Sequence, residues 1–360
     1  MRSILTSALL IALMLFPTAA GSLLAEDQAG ARTPGFIVGA DVSFLRELES
    51  KGIVFTDGGV AEPGLQILRE HGYNWVRLRI MNEPTPLPNT LAYTLAEAKA
   101  AKALGFRLLL DFHYSDNWAD PGHEATPKAW AKLSHDELVK AVFRFSKDTM
   151  TAFREQGTMP DMVQVGNEIT SGMLWPDGKL PERWDQFAEL LTAGVRGVEA
   201  GKGRMARPVI MIHIDQGGNI ETTEWFFDHL IVNRVPFDVI GQSYYPWWQG
   251  SLEDLRKNLA FMANRYKKPI VLAETAYDWH KGEEFGSKKQ EFAETPEGQR
   301  DFLAAVARVV RETPGGLGMG LFWWEPMAEG EIEKRGMFDE KHSALPVIDV
   351  LDPSAAVPKR

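Results

Sequence analysis

Cysteine is absent from this chain of 360 residues. Disulfide bonds, zinc sites built from thiolates and cysteine nucleophiles are therefore excluded. Hydrophobic residues supply 44% of the chain and charged residues 24%. Because this composition can bury a large core, disorder is excluded as a description of the whole chain. The length would accommodate two domains, but α/β barrels of this length commonly form a single domain.

Blocks of lysine and arginine are also missing, and the formal net charge is −10. An acidic surface repels the phosphate backbones of nucleic acids, so we expect no nucleic-acid partner. Phosphate-binding loops are missing as well, since the pairs Gly217-Gly218 and Gly315-Gly316 lack the lysine and the spacing that such loops require.

Long apolar runs are confined to the N-terminus. Arg2 precedes an apolar run at 4–16, and small residues follow up to Ala20, which is typical of a secretory signal peptide. We predict a signal peptide at 1–20, with Ala25 as a second possible cleavage point and an uncleaved anchor as the alternative. A flexible segment is expected at 21–35 and a single catalytic domain at 36–352. The mature protein is expected to be secreted or periplasmic, without membrane association.

Eight short apolar runs alternate with segments whose apolar residues recur every 3.6 residues. The stripe at 182–200 is the clearest helix, and Ser134 with Glu137 forms a capping box for another. Eight strand–helix units predict an α/β fold, a single (β/α)8 TIM barrel. A doubly wound open sheet is the alternative, but its usual glycine-rich turn is missing after the first strand. The predicted strands span 36–42, 75–80, 107–113, 162–167, 208–214, 237–243, 270–273 and 318–323.

Polar residues cluster at the ends of most predicted strands, where the chemistry of a barrel is located. Many of the 11 tryptophans also follow strand ends. Flat apolar rings beside hydrogen-bonding groups suit sugars, so the pattern favours a carbohydrate ligand over simple packing at the rim. These tryptophans are Trp118, Trp175, Trp247, Trp248, Trp279, Trp323 and Trp324.

Two glutamates, Glu168 and Glu274, follow the fourth and seventh predicted strands. Cleavage of a glycosidic bond requires two carboxyl groups that face each other. One protonates the leaving oxygen, and the other attacks the anomeric carbon or activates water. The alternative for Glu168 is a structural pairing with Asn167 or Arg79.

Other chemistries have weaker support in the sequence. The pairs Asp111/His113 and His213/Asp215 resemble metal ligands, but metal-dependent barrel hydrolases usually place a histidine pair on the first strand, where this chain offers only Asp41. No serine lies in the G-x-S-x-G context of a nucleophile elbow.

Several motifs resemble those of the arabinogalactan endo-β-1,4-galactanases, glycoside hydrolase family 53. They occur in the family's order between about Gly39 and Pro326. The run after the third predicted strand is the most specific, whereas an Asn-Glu pair is shared by many retaining barrel glycosidases. The motifs are DFHYSDNWADP at 111–121, VGNE at 165–168, LWP at 174–176, MIHID at 211–215, AET at 273–275 and FWWEP at 322–326.

The resemblance implies a secreted enzyme that cuts β-1,4-galactan, the side chain of type I arabinogalactan and pectin, within the polymer. It implies that Glu168 is the acid/base and Glu274 the nucleophile. It further implies a set of substrate-contacting residues: Asn167 on the sugar 2-hydroxyl, Arg79 and Tyr245 beside Glu274, Trp324 under the sugar at the scissile bond, and His113, Asp116, Trp118, Asp215 and Trp247 in neighbouring subsites.

The chain departs from the family in its late loops. Members that bind calcium use a Gly/Asp/Asn-rich loop after the seventh strand, and residues 277–286 do not match it. We therefore expect no cofactor and no structural calcium. Fungal members carry cysteines in these loops, and this chain has none.

The mechanism implied is a retaining double displacement. Desolvation and the charge of Glu274 should raise the pKa of Glu168, and Arg79 should keep Glu274 ionised. Retention requires carboxyl groups about 5–5.5 Å apart, against about 6.5–9.5 Å for inversion. Two alternatives are a β-glycanase acting on mannan, xylan or glucan, and a non-catalytic sugar-binding protein built on a barrel.

Overall fold

The computed structural model describes residues 35–351, which contain a closed barrel of eight parallel strands. The predicted (β/α)8 barrel is therefore confirmed. The predicted signal peptide at 1–20 and nearly all of the segment 21–35 lie outside the described residues. No helix within 35–351 is long and apolar enough to cross a membrane.

Each barrel strand pairs with the strands before and after it in the chain, and the last strand closes on the first. Several strand ends differ from the sequence prediction by one or two residues. At the carboxyl ends the largest differences are at the fourth strand, which stops at Val165, and at the seventh, which continues to Thr275. The strands are β1 (Ile37–Asp41), β2 (Trp75–Ile80), β3 (Arg107–Phe112), β4 (Met162–Val165), β5 (Val209–Ile214), β6 (Val239–Tyr244), β7 (Ile270–Thr275) and β8 (Gly318–Trp323).

The helices connect successive strands. They are α1 (Leu45–Ser50), α2 (Gly64–Glu70), α3 (Leu91–Ala103), α4 (His135–Gln156), α5 (Trp184–Gly201), α6 (Ile220–Val232), α7 (Leu252–Tyr266) and α8 (Pro296–Arg311). Short 3₁₀ helices lie at Ile169–Ser171, Pro314–Gly316, Gly330–Arg335 and Pro346–Asp349, and two-residue strand pairs at Thr56–Asp57 with Val60–Ala61 and at Gly172–Met173 with Gly178–Lys179.

Local sequence explains where the helices begin. The Ser134–Glu137 capping box predicted for α4 is present, and Ser251 with Asp254 forms a second one at the start of α7. In each case the acidic side chain accepts the serine backbone N–H, which satisfies a donor left free by the first helical turn. Thr295 caps α8 by accepting the backbone N–H of Gly298.

The barrel interior changes from apolar to polar along the strand direction. At the amino-terminal end, an apolar cluster fills the barrel: Ile37, Trp75, Leu109, Met162, Met211, Val239, Val271, Ala273 and Phe322. Gly39 leaves room for it, because a Cβ at this position would lie 2.2 Å from the Phe322 ring. Toward the carboxyl-terminal end, Arg77, Asp111, Gln164 and His213 are all buried. The apolar layer thus supports a polar layer beneath the mouth of the barrel.

Candidate active site

A cleft of about 710 Å³ opens at the carboxyl ends of the strands and contains both candidate glutamates. Aromatic, charged and amide side chains share its walls. The lining residues include Arg77, Arg79, His113, Trp118, Asp120, Asn167, Glu168, Asp215, Tyr245, Trp248, Glu274, Trp324 and Arg335.

Glu168 is positioned by a sharp turn after β4. Gly166 has φ 86°, and Glu168 itself adopts the left-handed conformation with φ 48° and ψ 41°, which non-glycine residues rarely adopt. Such backbone persists where the surrounding structure holds it in place, and here the 3₁₀ helix Ile169–Ser171 follows directly. The half-buried Glu168 carboxylate accepts a hydrogen bond from Ser243 of β6, with 2.5 Å between Oγ and Oε1.

Glu274 lies within β7 and is buried, with 6% of its surface exposed. Its Oε1 is 2.8 Å from Nη1 of Arg77, and its Oε2 accepts a hydrogen bond of 2.8 Å from the Tyr245 hydroxyl. Both partners favour the ionised form of the carboxyl group.

The two glutamates face each other. One carboxylate oxygen of Glu168 and one of Glu274 lie within 4.8 Å of each other, and a ring nitrogen of His213 lies within the same distance of both. This spacing is close to that of retaining glycosidases and well below the separation that inverting enzymes need for a water molecule.

The environment gives the two glutamates different proton affinities. Burial raises the pKa of Glu168 well above its usual range, and the charges of Glu274 and Asp215 raise it further. Burial also raises the pKa of Glu274, but the Arg77 charge and the Tyr245 hydrogen bond oppose that effect. In this coupled pair Glu168 therefore holds the proton more strongly. This difference in pKa suits Glu168 as the acid and Glu274 as the nucleophile.

The group Glu168, His213 and Glu274 could by distance alone hold a metal ion, but its donors are already engaged. Nε2 of His213 lies 2.9 Å from Oγ of Ser243, and Nδ1 contacts two side-chain amides. Arg77 already neutralises Glu274. Burial and the nearby Arg77 charge lower the pKa of His213 well below its usual value, which keeps the ring neutral.

Arg77 is the centre of a buried polar network below the glutamates. Burial would raise the pKa of Asp111, but Arg77 and His113 outweigh it and lower that pKa to about 2. The Arg77 contacts are Asp41 at 2.8 Å, Asp111 at 2.9 Å, Gln164 at 3.3 Å, Asn167 at 2.7 Å and Glu274 at 2.8 Å.

The expectation that Arg79 lies beside Glu274 is wrong, because Arg77 makes that ion pair. Arg79 instead reaches Asp41 and Glu325, each at 3.3 Å, and its guanidinium lies 4.4 Å from the Trp118 ring centre. Its Nε and Nη1 are buried without a hydrogen-bond partner among residues 35–351. Arg79 does line the cleft.

The structure also corrects the predicted placement of one tryptophan, Trp247. Trp118 and Trp324 line the cleft with ring centres 6.2 Å apart, as their predicted place near the substrate requires. Trp247 does not line the cleft, because it is fully buried. Its neighbour Trp248 is 57% exposed and lines the cleft instead. Tyr245 packs against both of these rings.

The remaining predicted residues divide between two cavities. His113, Asn167 and Asp215 line the catalytic cleft. His113 contacts Asp111, with 2.9 Å between Nε2 and Oδ2. Asp116 lines a neighbouring cavity, where its carboxylate accepts backbone N–H groups from the surrounding loops.

Sequence reasoning missed the functional contacts of several residues. Ser243 ends a predicted strand, but nothing in its neighbours indicates that it hydrogen-bonds Glu168. Arg335 lies far along the chain in the Gly330–Arg335 turn, yet it lines the cleft beside the Trp248 ring at 5.3 Å. Glu124 is buried near the cleft, and no motif marks it.

Comparison with known proteins identifies close relatives. The sequence model for glycosyl hydrolase family 53 matches residues 37–351. An uncharacterized protein in the bgaB 5′ region of Niallia circulans is 44% identical over 308 residues, covering 81% of this chain and 83% of that protein. The arabinogalactan endo-beta-1,4-galactanase of Cellvibrio japonicus is 35% identical over 319 residues, covering 84% and 83%.

A solved structure of a fungal enzyme is similar to this chain in fold. One of two fungal β-1,4-galactanases superimposes with a TM-score of 0.81 at 32% sequence identity, covering 87% of this chain and 97% of the fungal one.

Proposed function

The chain belongs to glycosyl hydrolase family 53, and on that premise we propose that it is an exported endo-β-1,4-galactanase that retains anomeric configuration. The substrate is β-1,4-linked galactan, including the galactan side chains of type I arabinogalactan. Relatives named arabinogalactan endo-beta-1,4-galactanase, 35% identical in the case of Cellvibrio japonicus, support this choice of polymer.

The observation that carries the proposed mechanism is the separation of the two carboxylates, within 4.8 Å between one oxygen of Glu168 and one of Glu274. At this distance both groups reach the same glycosidic bond, and no space remains between them for an attacking water molecule. Double displacement therefore fits the site better than direct inversion.

In the first step Glu274 attacks the anomeric carbon while Glu168 gives its proton to the departing galactosyl oxygen. A covalent glycosyl–enzyme ester forms, and the glycosidic C–O bond breaks. In the second step Glu168, now a carboxylate, removes a proton from water, which attacks the same carbon and releases Glu274. The Arg77 guanidinium, 2.8 Å from Glu274, stabilises the leaving carboxylate in this step.

The surrounding side chains hold the sugar. Trp324 supplies an apolar platform, and Tyr245 orients Glu274 through a hydrogen bond of 2.8 Å. Asn167 donates one amide hydrogen to the Ala119 carbonyl at 2.8 Å, which leaves the other for the sugar 2-hydroxyl. All of these groups belong to the protein, and the mechanism assigns no role to a metal or cofactor.

The decisive experiment is product analysis on linear β-1,4-galactan, followed by NMR in the first minutes of hydrolysis. We expect oligosaccharides from internal cleavage, with β-configured reducing ends formed first. Release of reducing sugar only from mannan, xylan or glucan would assign another polymer. Binding of galactan without products would indicate a sugar-binding protein, and α-configured products would contradict retention.

Export and independence from metal are part of the proposal. Residues 1–20 have the pattern of a signal peptide. Mass spectrometry of the protein recovered outside the cytoplasm should show cleavage after Ala20. Dialysis against EDTA should leave hydrolysis of galactan unchanged.

A further inference from the structure

A second cavity, of about 830 Å³, adjoins the catalytic cleft and shares two lining residues with it, Trp118 and Asp120. We call this cavity the Glu124 chamber. Its lining also includes His123, Glu124, Trp175 and Lys179. Because the same two residues belong to both cavities, the chamber lies directly beside the cleft.

The walls of the chamber are built by two loops fastened to each other. Residues 120–126 follow β3, and residues 171–176 follow β4. Trp175 donates its backbone N–H to the Glu124 carbonyl at 2.6 Å and its indole N–H to Ser171 at 2.9 Å. Ser171 in turn donates to the Pro121 carbonyl at 2.6 Å. The chamber is therefore a preformed part of the barrel mouth.

Glu124 stands out within the chamber because one oxygen of its buried carboxyl group has no hydrogen-bond partner in the described part of the chain. The residue is only 2% exposed, and its Oε1 is buried without a hydrogen bond to any residue in 35–351. A buried polar atom without a partner costs about 1–3 kcal/mol, so an arrangement of this kind indicates a group kept for a ligand.

We propose that the Glu124 chamber is a further sugar-binding subsite, in which the Glu124 carboxyl group hydrogen-bonds a hydroxyl of a neutral pyranose unit beyond those at the scissile bond. This inference rests on the proposed function. It assigns a substrate contact to a residue that no motif marks.

The protonation state of Glu124 suits a neutral sugar. Burial raises its pKa well above the usual value, and the charges of Asp120 and Glu168 raise it further, which favours the carboxylic acid form of the group. A carboxylic acid both donates and accepts hydrogen bonds, as a sugar hydroxyl does. A carboxylate would only accept, and burying it would cost far more.

The rings of the chamber supply the apolar contact that a sugar face needs. Trp118 has the Arg79 guanidinium on its ring at 4.4 Å, and Trp175 has the Lys179 ammonium group at 4.9 Å from its ring centre. These cations fix the ring planes.

The test compares a long and a short substrate in variants of Glu124. Glu124→Leu is similar in length but cannot hydrogen-bond. It should lower the ratio of kcat/KM on galactan to kcat/KM on a nitrophenyl galactobioside by about fivefold to tenfold, as loss of one hydrogen bond to substrate predicts. Glu124→Gln, which both donates and accepts, should keep this ratio within about twofold of wild type.

Thermal unfolding separates a substrate contact from a structural role. Since Oε1 has no partner among residues 35–351, leucine should leave the melting temperature unchanged or raise it. A lower melting temperature together with equal loss on both substrates would show that Glu124 only supports the fold, and would overturn the inference. An unchanged ratio in Glu124→Leu would also overturn it.

A binding measurement keeps this inference distinct from the proposed function. In a Glu274→Ala background, calorimetry with galacto-oligosaccharides of increasing length should show affinity rising until the chamber is filled. Adding Glu124→Leu should end the rise at a shorter oligosaccharide, and the same length dependence in both proteins would contradict the chamber. A wild-type protein that cleaves another β-glycan but not galactan would overturn the proposed function, and the length test would then use that polymer.

Discussion

The Arg77 guanidinium lies 2.8 Å from Oε1 of Glu274, and both side chains are buried below the mouth of the barrel. The same guanidinium also contacts Asp41 and Asp111. One cation therefore compensates three carboxylates that share a low-dielectric interior. The nucleophile is held by the network that stabilises the interior of the barrel.

Replacing Arg77 should damage both stability and activity. Arg77→Met removes the cation that three buried carboxylates share, and we expect the free energy of unfolding to fall by about 3–5 kcal/mol in urea titrations. Arg77→Lys keeps the charge but loses the forked geometry, so it should retain more stability while kcat falls. Arg300→Met, at an exposed site, is the control. Wild-type stability in Arg77→Met would contradict the network described above.

Glu274→Ala should remove the nucleophile while the fold persists. Turnover of galactan should fall by about 10⁴-fold or more, with an unchanged circular dichroism spectrum. Added azide should restore reaction with an activated aryl galactoside and yield a glycosyl azide of inverted configuration, because the small anion fills the space of the missing carboxylate. Substantial galactan hydrolysis without azide would exclude Glu274 as the nucleophile.

Ser243→Ala should change the pH profile. The Ser243 hydroxyl donates to Oε1 of Glu168 at 2.5 Å, which stabilises the carboxylate and lowers the pKa of Glu168. Without this donor the pKa rises further. Glu168 must be protonated to act as the acid, and activity is lost as the pH rises through its pKa, so the basic limb of kcat/KM should move to higher pH. Ser243→Thr keeps the hydroxyl and is the matched control. A basic limb that stays in place or moves to lower pH would refute the contact.

Glu97 on α3 gives a pH-dependent stability that does not involve the active site. Burial, and then the charge of Glu49, raises the pKa of Glu97 from 4.5 to about 7. The folded state therefore binds this proton more tightly than the unfolded state. The associated stability is fully present below about pH 4.5 and is lost as the pH rises through about 7.

Glu97→Gln should consequently stabilise the protein at pH 8 more than at pH 5, by up to about 3 kcal/mol in the free energy of unfolding. Urea titrations at both pH values measure the difference. Glu155→Gln, whose side chain is 69% exposed, should show no such dependence. An equal effect of Glu97→Gln at the two pH values would disprove the raised pKa.

Two adjacent tryptophans should respond in opposite ways. Trp248 is 57% exposed at the cleft, so Trp248→Ala should raise KM for galactan with little effect on stability. Trp247 is fully buried, and Trp247→Ala should lower the free energy of unfolding by about 3–5 kcal/mol. Assays of KM and of unfolding on both variants provide the comparison. A raised KM together with wild-type stability in Trp247→Ala would show that the substrate contacts Trp247, and would contradict the assignment to Trp248.

The sequence by itself determined the barrel and the position of its chemistry. Continuous apolar strands separated by helical stripes allow few other folds, and the carboxyl ends of parallel strands meet at one mouth. Glu168 and Glu274 could be chosen because each follows a strand. That Glu168 and Glu274 lie at the same mouth of the barrel could be predicted without any side-chain distance.

The tertiary structure alone decided which side chains surround Glu168 and Glu274. Arg77 and Arg79 point to the same side of β2, since side chains alternate along a strand, and the sequence cannot show which of them reaches Glu274. That choice depends on the relative height of strands around the barrel, where β7 is also irregular in its pairing with β6. Likewise, a loop turn exposes Trp248 and buries Trp247, and two packed loops leave Oε1 of Glu124 without a hydrogen bond to any residue in 35–351. These contacts join residues that are far apart in the chain, so the local periodicity of the sequence cannot predict them.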